Sequence, residues 1–234
     1  KQYKVLTLTD CFEYDEKTFN YYGSYSFTGT KIEQAVVTAI LNVTTDDKVV
    51  VDMIKGNNEQ DSSSLKTLLE NNAYQVNEVS LATGDFDSNA KIAIMYAPSV
   101  DLDEKIVEKL STWLSNDGKY GRSLIYVPTA DMGEMPNLDD FLKEWRMSID
   151  RGYVFETDES TLVSASSPYA FTVSYGDYYK DNLKNSKIPV VVSESHAVNI
   201  TDENTAHALL KTSDKAGVLP IDADKNWDYK DAVS

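Results

Sequence analysis

Residues 27–60, FTGTKIEQAVVTAILNVTTDDKVVVDMIKGNNEQ, decide the fold of this chain. The first half carries apolar residues at helical spacing, and the second half contains the apolar run VVVDMI. A short turn of Thr and Asp separates the two halves. The pattern predicts a helix followed by a strand that is covered on both faces. A polar loop that begins at Gly56 follows the strand.

This loop is a candidate ligand-binding site because of its position. In open α/β sheets, ligands bind at the carboxyl ends of strands. Gly56, Asn57, Asn58 and Glu59 occupy that position and could hydrogen-bond a polar ligand such as a glycan. The alternative is an ordinary turn, in which Gly supplies backbone freedom and Asn tolerates left-handed geometry.

The rest of the chain predicts alternating strands and helices. A first strand is expected at residues 5–8, followed by a long loop or irregular hairpin. The further strands are expected at residues 74–81, 91–96, 123–127, 153–156, 170–175 and 189–193, and the further helices at 61–72, 103–116, from 136 onward and at 178–185. Strands separated by helices favour parallel pairing, so we predict an α/β three-layer sandwich with a mostly parallel sheet.

The predicted organisation is one domain with an appendage. Residues 1–150 form the α/β sandwich core, and residues 151–221 form a C-terminal extension of the same domain. Residues 222–234 are polar and acidic, and we expect a loose tail.

Composition limits the possible partners. The 234 residues carry a formal net charge of −16, which repels a phosphate backbone, so nucleic acid is a poor partner. No apolar run reaches the roughly 18 residues of a membrane span, and Lys1 is followed by no signal-peptide pattern. We therefore expect an excised or processed segment.

A series of weak motifs occurs in an order that resembles the auxiliary component of ABC-type transport systems, which includes the gliding-motility auxiliary proteins. The motifs span roughly residues 25–215. They are Phe27-Thr28-Gly29, the helix ending at Thr44, the strand and loop from Val49 to Glu59, Ala97-Pro98 with Asp101-Leu102-Asp103, Leu110 with Trp113 and Leu114 before Asp117-Gly118, Met135-Pro136-Asn137-Leu138 with Phe141, Leu142 and Trp145, and Leu209-Leu210-Lys211-Thr212-Ser213.

The resemblance implies a non-catalytic extracytoplasmic domain, anchored to the bacterial cell membrane by flanking segments and paired with an ABC permease and ATPase. It also implies a flavodoxin-like or class I glutamine amidotransferase-like fold. One position departs from the family. Members commonly have Gly-His in the loop after the Val-rich strand, whereas Gly56 is followed here by Asn57, which leaves no imidazole for proton transfer or metal ligation.

Two other functions remain open. An unusual amidotransferase-like hydrolase would pair Cys11 or a serine with His196 as base, although Gly-x-Cys-x-Gly and Gly-x-Ser-x-Gly are absent. His207 is a weaker candidate because it lies in a predicted helix. A carbohydrate-binding module would use one of two tyrosine clusters, namely Tyr14, Tyr21, Tyr22 and Tyr25, or Tyr169, Tyr175, Tyr178 and Tyr179.

The sequence motifs predict no cofactor and no metal. Neither a P-loop nor a GxGxxG fingerprint occurs. Asp85, Asp87 and Asn89 superficially match a calcium loop, but Ala90 and Tyr96 stand where that loop needs Gly and a bidentate Glu. Cys11 is the sole cysteine, so no internal disulfide can form, and we interpret it as a packing residue.

Overall fold

The computed structural model of the chain describes residues 3–129, 132–164, 166–224 and 227. Its helices are α1 (Leu8–Cys11), α2 (Glu16–Tyr22), α3 (Ile32–Thr44), α4 (Ser63–Asn71), α5 (Glu104–Ser115), α6 (Pro136–Glu144) and α7 (Asp177–Lys180). Its strands are β1 (Phe12–Tyr14), β2 (Phe27–Thr30), β3 (Val50–Ile54), β4 (Gln75–Val79), β5 (Ala90–Tyr96), β6 (Ser123–Val127), β7 (Met147–Ile149), β8 (Gly152–Glu156), β9 (Leu162–Ser164), β10 (Ser167–Tyr175), β11 (Val190–Ser193), β12 (Val198–Ile200), β13 (Leu210–Lys211) and β14 (Ala216–Pro220).

The chain divides into two compact units. Unit 1 comprises Lys1–Tyr96 and Lys109–Val127, and unit 2 comprises Ala97–Glu108 and Pro128–Ser234. The predicted organisation into a core at residues 1–150 and an extension at residues 151–221 stays a prediction. The predicted acidic tail at residues 222–234 lies largely outside the described residues.

Unit 1 contains a parallel sheet of four strands in the order β4-β3-β5-β6. Every residue of β3 is buried, as the apolar run predicted for a strand covered on both faces. Val51 and Met53 of β3 join Ile94 of β5 in a buried cluster, against which Leu65 and Leu69 of α4 pack. Burial of these side chains is the main favourable contribution to the stability of the sheet.

The strand predicted at residues 5–8 is wrong. The chain instead begins α1 at Leu8, because Thr7 and Asp10 form a reciprocal capping box. Hydrogen bonds from the Thr7 hydroxyl and backbone N–H lower the pKa of the Asp10 carboxyl. Local capping therefore outweighs a short apolar pattern. Downstream, β1 and β2 pair antiparallel around α2.

Unit 2 is built from antiparallel pairings. β8 pairs with β14, β7 pairs with β12, and β10 pairs with β9, β11 and β13. Several of these strands are joined by loops without a crossover helix, and parallel pairing needs such a crossover.

The predicted three-layer sandwich with a mostly parallel, flavodoxin-like or class I glutamine amidotransferase-like sheet is therefore wrong. The fold is mixed α/β, with one parallel sheet of four strands and several antiparallel sheets among the described residues. The prediction extended the crossover pattern of residues 32–127 to a half of the chain that lacks it.

Helix α6 receives its N-terminal cap from a distant residue. Its N-cap Met135 makes no side-chain cap hydrogen bond. The carboxylate of Asp101 fills that role, accepting from the backbone N–H of Asn137 at 3.0 Å and of Leu138 at 3.2 Å. The Asn137 amide donates in return to the carbonyl of Leu102 at 2.8 Å. These contacts hold the segment before α5 against the start of α6.

Replacing Asp101 with Ala is expected to destabilise unit 2 by about 1–2 kcal/mol, because two N–H groups at the start of α6 lose their acceptor. Urea unfolding measures this change as a lower midpoint. Asp140→Ala on the same helix is the matched control, because its ion pair with Lys143 is exposed and should contribute little. Equal midpoints for the two variants would contradict the capping role.

Candidate functional site

The four predicted site residues form one tight turn at the carboxyl end of β3. The carboxylate of Glu59 accepts from the backbone N–H of Gly56 and of Asn57, each at 3.0 Å. Gly56 and Asn58 both adopt left-handed backbone conformations, with φ of 115° and 55°. We call this turn, residues 56–59, the Glu59 turn. Its carboxylate closes a ring with the backbone that precedes it.

The backbone conformation and surroundings of position 56 favour glycine. Its φ of 115° strains any residue with a side chain, and a Cβ atom there would lie 3.2 Å from the Ser80 hydroxyl oxygen. The neighbouring Lys55 donates its backbone N–H to the Val79 carbonyl at 2.8 Å. The ends of β3 and β4 are thus held close together, and the turn lies where the two strands end.

The side chains of the Glu59 turn differ in exposure. Asn57 is buried, at 5% exposure, whereas Gly56 is exposed. Next to the turn, the Asp61 carboxylate accepts from the Ser63 hydroxyl and backbone N–H, and these hydrogen bonds lower the pKa of Asp61. The geometry gives Glu59 a structural role, and ligand binding by these four residues stays a prediction.

A second set of polar residues at this sheet was missed by the sequence analysis. Asp52 of β3 is fully buried, and its carboxyl oxygens accept from the Asn77 amide at 3.0 Å and from the Asp87 backbone N–H at 2.7 Å. Asp87 in turn accepts from the backbone N–H of Asn89 at 2.8 Å. These bonds tie β3, β4 and the segment before β5 together. The signal was a single charge in the apolar run of β3.

Lys109 of α5 anchors the loop between β4 and β5. Its ammonium group donates to the carbonyls of Leu81 at 3.0 Å and Gly84 at 2.7 Å, and it pairs with Asp85 at 2.8 Å. The carboxylates of Asp85 and Asp87 are therefore engaged in holding this loop. In the part of the chain that the structure describes, no three His, Cys, Asp or Glu side chains gather in a way that could hold a metal ion.

A polar depression of about 890 Å³ lies at the opposite edge, by the amino ends of the parallel strands. Lys48, Lys91 and Arg122 are its cationic lining residues. Two of these cations form hydrogen bonds with other groups of the chain. Lys48 donates to the Asn42 side-chain oxygen at 3.1 Å, and Arg122 donates to the Trp113 carbonyl at 2.9 Å while lying over its ring.

The histidine singled out as a possible catalytic base bridges two chain segments of unit 2. Nδ1 of His196 lies 2.7 Å from the Gly152 carbonyl, and Nε2 lies 2.8 Å from the Thr129 carbonyl. The ring also stacks on Tyr153, with centroids 6.0 Å apart. Cys11, its proposed nucleophilic partner, belongs to unit 1, where its carbonyl accepts from the Lys31 N–H. The other histidine, His207, stacks on Tyr178 at 4.1 Å.

In the early tyrosine cluster, Tyr14 and Tyr25 pack on neighbouring rings, although Tyr25 is still 44% exposed. Tyr14 meets Tyr25 edge to face at 5.1 Å, and Phe19 stacks on Tyr25 at 4.6 Å. These rings form the contact between α2 and its flanking strands. Tyr21 and Tyr22 are instead 81% and 73% exposed.

Helix α3 presents an exposed apolar face. Its exposed large hydrophobic residues, which we call the α3 face, are Ile32, Val36, Val37, Ile40 and Leu41. Ala35 is the buried residue of this helix, and Glu33 is the sole charged residue in its sequence. The helix itself was predicted correctly from its apolar spacing.

Unit 2 carries an aromatic depression of about 490 Å³. Its walls include Tyr153, Tyr169, Pro220, Ile221 and Trp227, and Asp224 supplies a carboxylate. Tyr169 belongs to the later tyrosine cluster, whereas Tyr153 and Trp227 were not singled out from the sequence. Among the described residues, no helix has the length and apolarity that crossing a membrane requires.

Comparison with known proteins bears on the fold. No family model and no curated protein matches the chain. The chain is similar to a solved structure titled "mmIFT52 N-terminal domain", with a TM-score of 0.54 and 12% sequence identity over 71% of this chain and 74% of that chain. This likeness supports the mixed α/β architecture in place of the flavodoxin-like one.

Replacing Glu59 with Ala is expected to accelerate amide hydrogen exchange at Gly56 and Asn57, because both N–H groups lose their acceptor. Glu59→Gln should give an intermediate effect, since it keeps one carbonyl oxygen. Hydrogen exchange resolved at single amides measures the change, with the β3 amides as internal control. Unchanged exchange at both positions in the Ala variant would contradict the closed turn.

Proposed function

We propose that this chain is a non-catalytic extracytoplasmic domain of an ABC transport auxiliary protein, acting through protein contacts while a separate ATPase supplies the energy. Its partners are the permease and ATPase subunits, and its anchors to the bacterial cell membrane lie outside this segment. The exposed α3 face is the observation that carries the proposal.

The α3 face is costly to leave in water. Each of its five large apolar side chains is between 41% and 54% exposed. Scattered exposed apolar residues are normal, but five on one 13-residue helix are a concentration of the kind that favours an interaction site. Binding of a partner that covers these side chains removes their apolar surface from water, which favours the complex.

Charge favours a protein as that partner. The net charge of −16 opposes binding to nucleic acid and to anionic lipid headgroups. The residues of α3 include no Lys or Arg, which an interfacial membrane helix usually carries on its polar face. An apolar protein surface suits the α3 face best.

The contacts between motif residues also support the proposal. The resemblance rests on the order of weak motifs, and two of these motifs touch in unit 2. Asp101 caps α6 at Asn137 and Leu138, and Asn137 reaches back to Leu102. The contacts give a structural reason for these two motifs to occur in the same chain.

Ile40→Glu on the α3 face is expected to reduce co-purification of the permease and ATPase with the membrane-anchored protein by at least about tenfold, because a charge must then be buried at the interface. Val191→Glu on β11 is the matched control, since Val191 and Ile40 are both 54% exposed. Thermal unfolding should show that both variants fold.

Two outcomes would contradict the proposal. One is failure of the unsubstituted protein to capture either subunit after cross-linking in its native host. The other is equal capture by Ile40→Glu and the unsubstituted protein, which would contradict the α3 face as the contact surface that carries the proposal.

A further inference from the structure

The aromatic depression of unit 2 has the properties of a preformed binding groove. We call it the aromatic groove and define it by Tyr153, Tyr169, Pro220, Ile221, Asp224 and Trp227. Its aromatic rings are half-buried, so each is held by the fold while part of it faces solvent. Large aromatic faces provide contact area at low entropic cost.

The fold fixes one wall of the groove. Tyr153 lies on β8 opposite Leu219 of β14 in antiparallel register. The Tyr153 ring stacks on His196, and both nitrogens of His196 contact backbone carbonyls, at Gly152 and Thr129. These contacts of His196 fix the position of the Tyr153 ring.

Trp227 forms another part of the wall. Its ring meets Phe155 edge to face, with centroids 5.5 Å apart, and Phe155 is fully buried. The Trp227 backbone N–H donates to the Asp224 carbonyl at 2.9 Å, and Asp224 also lines the groove. A groove held in this way needs little reorganisation on binding.

We propose that the aromatic groove binds an extended, proline-rich peptide segment that carries a basic residue. Such segments adopt the polyproline II conformation, have no internal backbone hydrogen bonds, and dock onto grooves lined by aromatic side chains. Asp224 and the net charge of −16 favour a cationic residue in the ligand.

The lining favours this peptide over a saccharide. A saccharide presents many hydroxyl groups, which need several directed donors and acceptors. Among the residues that the structure describes, the groove walls include Leu219, Pro220, Ile221 and Ala223, and Asp224 is their charged member. This mixture of apolar and aromatic surface with one acidic residue suits proline rings and a single cation. The inference is independent of the α3 face and its partner.

The test is fluorescence anisotropy of the full chain with a dye-labelled peptide that contains Pro-x-x-Pro repeats and a terminal Arg. We expect saturable binding that Trp227→Ala weakens at least about tenfold. Tyr178→Ala, which alters an exposed tyrosine outside the groove, should bind like the unsubstituted chain. Asp224→Asn should weaken the Arg peptide but leave a peptide with Gln in place of Arg unaffected.

Ile221→Glu provides a second variant in case Trp227→Ala fails to fold, because Ile221 is 57% exposed and its replacement leaves the Phe155 contact intact. It should weaken binding at least about fivefold by placing a charge beside the proline rings. Three results would overturn the inference. They are absence of saturable binding, equal affinity for a peptide whose prolines are replaced by Ala, and saturable binding of a labelled oligosaccharide that Ile221→Glu abolishes.

Discussion

Burial of the Asp52 carboxyl group is the constraint on which the parallel sheet of unit 1 depends. A polar group in a fully buried strand is tolerated only when its hydrogen bonds are satisfied. Asn77 of β4 and the backbone of Asp87 supply those bonds, so β3 can be buried only if β4 and the segment before β5 are in place. Burial of Val51 and Met53 stabilises the sheet. The hydrogen bonds of Asp52 determine which segments pack beside β3.

This arrangement determines what unit 1 can present to other molecules. With β3 and β4 fixed, the Glu59 turn and the loop held by Lys109 lie at defined positions after these strands. Their carboxylates are engaged mainly with the chain itself. The α3 face instead exposes apolar side chains to water, which is why protein contact is the function that we propose. Unit 2 adds the aromatic groove, in which His196 contacts the Tyr153 ring and Phe155 contacts the Trp227 ring.

The sequence predicted the elements whose signals are local. Helix α3 and strands β3, β5 and β6 follow from apolar spacing within short windows, and the Glu59 turn follows from its place after a buried strand. The exposure of α3 could not be predicted this way, because periodicity identifies an apolar face but not what covers it. The capping residues Thr7 and Asp10 are present in the sequence, but the prediction followed the apolar residues at 5–8 instead.

The remaining features depend on contacts between distant residues. Asp101 caps a helix that begins 35 residues later, and β8 pairs with β14 across more than half of unit 2. Short half-buried strands of this kind lack a strong alternating pattern, so their partners and direction were not evident. Asp52 was visible as a charge in an apolar run, but its partner Asn77 was not. The groove was missed because Tyr153 and Trp227 are far apart in the chain.

A double-mutant cycle on Asp52 and Asn77 tests the central claim most directly. Urea unfolding of the unsubstituted chain, Asp52→Ala, Asn77→Ala and the double variant gives their coupling free energy. The account predicts a coupling of about 1–3 kcal/mol, because removal of Asn77 leaves an oxygen of the fully buried Asp52 carboxyl without that hydrogen-bond donor. Additive effects, with coupling near zero, would contradict the claim that this contact selects the arrangement of the sheet.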